Sequence, residues 1–122
     1  MAVKVVDASV LAALAFAEPR SNEAAHLLSD AELYAPDLLP YELASVARKK
    51  SERYPTEARQ IAIALEAVLS LDIGLVSVAA TDVLALALQT KLTVYDAAYF
   101  CLAQKLNCPL VTFDERLARQ TA

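Results

Sequence analysis

VKVVDASVLAALAF, residues 3–16, decides the fold. Val3 to Val6 is a short, mainly β-branched run, which reads as a fully buried strand. It stops at Asp7. Ser9 to Phe16 is rich in alanine and leucine and reads as a helix, with Asp7 or Ser9 available to cap it and Pro19 to break it. The same order of strand, aspartate and helix returns near the other end: Leu110 to Thr112, then Asp114, then Glu115 to about Gln120.

The intervening chain keeps the alternation. Ser21 or Asn22 opens a helix to about Ser29, and Leu33 to Ala35 is a brief strand. Asp37 opens a helix that tolerates Pro40 in its first turn and runs through Glu42 to Arg53. Thr56 is expected to cap a long helix ending before Asp72, and Leu75 to Val78 is a third strand. Thr81 or Asp82 caps a further helix. Asp96 caps the next, Ala97 to Leu106, and Asn107 suits its left-handed C-terminal position. Short apolar strands alternating with helices predict an α/β fold, its parallel sheet covered on both faces.

Composition narrows the function. With 122 residues and no linker, residues 1–122 are expected to form a single domain. The chain is 57 % hydrophobic and 21 % charged, which excludes disorder. Mean hydropathy is +0.39, yet no window approaches the ~20 apolar residues of a spanning helix. The opening MAVKVVDASV does not read as a signal peptide, so a cytoplasmic protein without membrane contact is expected. The formal charge of −4 disfavours nucleic-acid binding unless the acids are clustered. Gly74 is the only glycine, which excludes glycine-rich phosphate loops and the G-x-S-x-G elbow. His26 is the only histidine, so paired-histidine chemistry on RNA has no general acid–base pair. Cys101 and Cys108, about 10 Å apart if helical, read as reduced thiols.

In an open parallel sheet, sites form beyond the carboxyl ends of the strands. Asp7 and Asp114 follow two of those ends. Asp96 opens a helix in the same region, and Glu42 lies in the first turns of another. Each alone reads as a cap or a solvated helix position. Together, four crowded carboxylates cannot all ionise without a cation. An all-oxygen set suits Mg2+ or Mn2+, which activates water and neutralises a phosphodiester under attack.

Four segments carry a family resemblance: VVDASVL (5–11), PDLLPYELASVARK (36–49), TVYDAAYFCLAQKL (93–106) and LVTFDERLA (110–118). In these the chain resembles PIN-domain ribonucleases and, in length, the VapC-type toxins of type II toxin–antitoxin pairs. The resemblance implies a three-layer α/β/α sandwich and metal-dependent RNA cleavage. It implies Asp7, Glu42, Asp96 and Asp114 as the acidic quartet, with Ser9 and Thr112 in support. It also implies a cognate antitoxin as partner. The family often carries one more acid beyond the fourth; this chain reads Arg116 to Arg119 there, which leaves the number of metal ions open.

Arg48, Lys49, Lys50 and Arg53 form the densest basic patch and begin about two turns beyond Glu42. They read either as a solvated helix end or as an RNA-steering patch. Tyr95 and Tyr99 flank Asp96, and core packing with an outward hydroxyl is preferred over base stacking. The apolar excess is expected to be covered in a homodimer. Two other readings compete: a PIN module that binds without cleaving, and a phosphoacceptor receiver domain. The receiver needs paired acids at the first strand and an acceptor aspartate after a middle strand. The first strand offers only Asp7, and the third ends Val78-Ala79-Ala80.

Overall fold

The computed structural model describes residues 1–121. Among them are four strands and seven α-helices. Strand β1 (Ala2–Val6) leads into α1 (Ala8–Ala15) and α2 (Ser21–Leu28), then β2 (Ala31–Pro36) and α3 (Leu39–Arg53). One 3-10 turn, Pro55–Glu57, precedes α4 (Ala58–Leu69) and β3 (Ile73–Val76). Helices α5 (Ala80–Thr90) and α6 (Val94–Leu106), strand β4 (Leu110–Val111) and α7 (Glu115–Thr121) complete it.

All strand pairings are parallel, in the order β3-β2-β1-β4. Val5 pairs with Tyr34 on one side and Leu110 on the other, so β1 is central, and Val5 and Val6 are fully buried. The chain steps from β1 to β2 to β3 in one direction, then crosses back to β4. Right-handed crossovers therefore place α1 to α4 on one face of the sheet and α5 and α6 on the other. The helix contacts agree: α1 packs against α2, α3 and α4, while α6 packs against α5, α7, β1 and β2. The reversal of strand order falls between β1 and β4. In such sheets the crevice opens there, at the carboxyl ends, where Asp7 and Asp114 emerge.

Several helix starts differ from the sequence reading. Helix α6 begins at Val94, not Ala97, because Thr93 is its cap: the Thr93 hydroxyl accepts the Asp96 N–H at 3.1 Å. Asp96 is thus in the first turn and has no capping duty. Helix α3 begins at Leu39, beyond Asp37, whose N–H is held by the Val76 carbonyl at 3.0 Å. Thr56 sits in the 3-10 turn and does not cap α4, and neither Thr81 nor Asp82 caps α5. Strand β3 lies two residues earlier than expected because its register with β2, Leu33 to Ile73 and Pro36 to Val76, sets its limits. The expected positions of Asn107 and Asp114 hold. Asn107 is left-handed with φ 51°, and Asp114 Oδ1 accepts the Leu117 N–H at 2.9 Å.

Candidate active site

Asp7 ends β1 and is the buried charged residue among those described, 6 % exposed. It stands at the cap position of α1, yet its carboxylate accepts no capping N–H. Two hydroxyls occupy it instead. Ser9 Oγ donates to Asp7 Oδ2 at 2.6 Å, and Thr112 Oγ1 donates to the same oxygen at 2.9 Å. Each hydroxyl also accepts: Ser9 Oγ from the Phe113 N–H at 3.0 Å, Thr112 Oγ1 from the Asp114 N–H at 3.0 Å. The loop after β4 is thereby tied to the first turn of α1.

Glu42 arrives from the first turn of α3. Tyr99, fully buried on α6, donates its hydroxyl to Glu42 Oε1 at 2.6 Å. Burial and the neighbouring carboxylate push the Tyr99 phenol far above its ordinary range, so it remains a donor. Asp7, Glu42, Asp96 and Asp114 line one cavity of about 530 Å³, together with Ser9, Tyr41, Lys49 and Tyr95. A cavity of about 580 Å³ at the opposite end of β1 holds no carboxylate; its Lys4 ammonium is spent on the Leu27 carbonyl at 2.7 Å.

The carboxylates feel one another. Burial raises Glu42 above the usual carboxylate range; the Tyr99 hydrogen bond opposes this, and the charges of Asp7 and Asp96 add to it. Burial also raises Asp96, reinforced by Asp7 and Asp114 and opposed by the Thr93 contact and the Arg116 charge. Arg116 is held nearby by the Lys91 carbonyl, 3.2 Å from its Nη2. A cation relieves mutual repulsion of this kind, and four carboxylates on one cavity wall offer the oxygen donors that fit a hard divalent one. The acids stand round the cavity rather than closed on one point. No three His, Cys, Asp or Glu side chains among the described residues form a ready-made metal group.

The basic patch divides. Successive residues of a helix point ~100° apart. Lys49 lines the cavity, whereas Lys50 pairs with Glu18 at 2.8 Å over the Phe16 ring. Arg48 pairs with Glu52 at 3.3 Å on the surface, and Arg53 lies over Tyr54. The two tyrosines beside Asp96 also part. Tyr99 is core with its hydroxyl on Glu42; Tyr95 is 62 % exposed on the cavity rim. The sequence reading missed Tyr41, which lines the cavity next to Glu42, and the role of Tyr99. Its spacing of three from Asp96 on one helix was the available signal. His26 is exposed on α2, and Cys101 and Cys108 are free thiols.

A central parallel sheet whose switch point gathers acids from β1, α3, α6 and the β4–α7 loop defines the class. The PIN domain family model matches residues 4–122, and the chain belongs to that family. It is 38 % identical over 121 residues to Ribonuclease VapC3 of Pyrobaculum aerophilum, covering 95 % of this chain and 92 % of that protein. It is 36 % identical over 115 residues to Ribonuclease VapC9 of Mycobacterium tuberculosis, covering 93 % and 87 %. Among solved structures it is similar to PAE2754 from Pyrobaculum aerophilum, with a TM-score of 0.79 and 29 % identity over 99 % of this chain and 88 % of that one. The fold is shared with Mycobacterium tuberculosis VapC20, described as a sarcin–ricin loop cleaving toxin, at a TM-score of 0.68 and 20 % identity over 96 % and 94 %.

Proposed function

We propose that this protein is a metal-dependent endoribonuclease, the toxin of a toxin–antitoxin pair. The observation that carries the reading is the convergence of Asp7, Glu42, Asp96 and Asp114 on one cavity in a chain of the PIN family. Those four would hold a Mg2+ or Mn2+ ion. Bound there, the ion supplies acidification of water and charge neutralisation for a phosphodiester. The rest is the protein's own work. The Ser9 and Thr112 hydroxyls hold Asp7 in one orientation, and Tyr99 holds Glu42. Asp96 enters unencumbered by capping. Lys49 meets the RNA backbone at the cavity, and Arg53 adds positive potential at the end of α3, while the Arg48 charge is shared with Glu52.

Water as nucleophile leaves a 5′-phosphate and a 3′-hydroxyl. Sequencing the ends of RNAs cut by the purified protein tests this, with chelator and Asp96→Asn as controls. Products ending in 2′,3′-cyclic phosphate would sink the mechanism. RNA binding without any cleavage in Mg2+ or Mn2+ would leave the binding module instead.

The same reading takes the chain as a single cytoplasmic domain with a cognate antitoxin. An arginine of that partner among the four carboxylates would replace the cation. No helix among the described residues is long and apolar enough to cross a membrane. A homodimer is supported by unpartnered apolar side chains. Leu84 and Leu88, one turn apart on α5, are 52 % and 74 % exposed, and Leu75 on the edge strand β3 is 48 % exposed.

A further inference from the structure

Tyr41 and Tyr95 reach the cavity from two different helices. Tyr41 lies in the first turn of α3 and immediately precedes Glu42; Tyr95 lies in the first turn of α6 and immediately precedes Asp96. Neighbours on a helix diverge by ~100°, yet both rings and both carboxylates line the one cavity. The rings are 79 % and 62 % exposed, whereas Tyr99, one turn along α6 from Tyr95, is fully buried. Tyrosine is intermediate in burial on average, with an apolar body and a polar tip. Two that stay exposed on the walls of one acidic cavity are placed for a ligand with flat apolar faces. Lys49 lines the same cavity from α3, seven residues beyond Glu42 and on the same face. An anion beside planar rings is the chemistry of a nucleotide.

We propose that Tyr41 and Tyr95 are base-stacking residues, each receiving one unpaired base on either side of the phosphate presented to the carboxylates. The proposal rests on the ribonuclease reading and names the residues that select its substrate's conformation. In a duplex the faces of the bases are covered by their neighbours, so only a loop or an open strand can lie on the two rings. Stacking tolerates any base, because each has a π-face. The pair therefore selects strandedness and leaves sequence preference to other contacts.

The test is RNA binding with Ca2+ in place of Mg2+ or Mn2+, read by fluorescence anisotropy, with a 12-nucleotide single strand and the same strand in a duplex. A second probe carries 2-aminopurine, whose emission reports stacking. Tyr41→Ala and Tyr95→Ala should each weaken single-strand binding roughly 10-fold, within the span measured for base–aromatic stacking. Tyr41→Phe and Tyr95→Phe should restore it, and the 2-aminopurine change should shrink in each Ala variant and in neither Phe variant. Duplex binding should be weak and the same in all five proteins. Melting temperatures should stay together, since both side chains are exposed. Single-strand binding unaltered by the Ala substitutions would overturn the proposal, as would duplex bound as tightly as single strand. Ala variants that lose self-association in light scattering while binding RNA normally would assign the rings to a protein interface and overturn it too. Wild-type cleavage in Mn2+ is measured alongside. Binding through the tyrosines without cleavage refutes the ribonuclease and leaves the stacking pair; cleavage indifferent to the tyrosines does the reverse.

Discussion

Tyr99→Phe removes one hydroxyl from a fully buried ring and leaves the packing of α6 in place. The lost contact is a 2.6 Å hydrogen bond to Glu42 Oε1. A hydrogen bond to a charged group contributes ~1.5–3 kcal/mol. Glu42 borders the cavity, where water can replace the donor, so the low end applies, about 1.5 kcal/mol at neutral pH. The cost should depend on pH. Burial raises the Glu42 carboxyl above its ordinary range, and the Tyr99 bond opposes that rise. Without the hydroxyl it rises further. A carboxyl raised on folding binds more protons folded than unfolded. Its penalty therefore grows as pH climbs through the unfolded value, ~4.3, and is complete above the folded one. Below that window Glu42 is neutral in both proteins, and the difference should shrink to about 0.5 kcal/mol, the low end for a neutral pair. Urea unfolding in chelator at pH 7.5 and pH 4 measures both values. In a Glu42→Gln background the substitution should cost the smaller amount at either pH. Equal costs at both pH values and in both backgrounds would refute the coupling.

Asp96→Asn should melt no lower than wild type in chelator, because one repelling charge is gone and Thr93 caps α6. It should also lose most of the Mn2+-induced stabilisation, which is about 2.7 kcal/mol in wild type at 100 times Kd and is read as a rise in melting temperature. Arg20 lies 3.7 Å over the Phe113 ring and is gripped by Glu23 at 2.6 and 3.0 Å. Arg20→Ala should barely move the urea midpoint, yet weaken Mn2+ binding in calorimetry, since Phe113 lies between Thr112 and Asp114. A Cβ at Gly74 would stand 2.6 Å from Tyr34 Cδ1, so Gly74→Ala should lower stability by roughly 1–3 kcal/mol, seen as a lower melting temperature. Light scattering at micromolar concentration should show a dimer, and Leu88→Lys, on the exposed face of α5, should make it a monomer without unfolding it.

Local chemistry was enough for much of this protein. The β-branched run before Asp7, the alanine-rich run after it and their echo around Asp114 determine a parallel α/β sheet, because strand and helix periods are written in adjacent residues. The left-handed Asn107 and the Asp114 cap follow from side chains within four positions. The four acids were legible as candidates because a parallel sheet brings its strand ends to one edge. Other features depend on partners distant in sequence. Thr93 takes the cap of α6 and releases Asp96. The β2 register moves β3. Ser9 and Thr112, 103 positions apart, hold one oxygen of Asp7 between them. Tyr99 crosses 57 positions to reach Glu42, while Tyr95, on the same helix, stays in solvent. Composition and spacing assign a residue to an element and a face; which side chain across the fold meets it is settled only when the layers pack. For that reason Lys49 alone of the basic patch lines the cavity, while Lys50, one residue on, pairs with Glu18 on α1's side of the molecule.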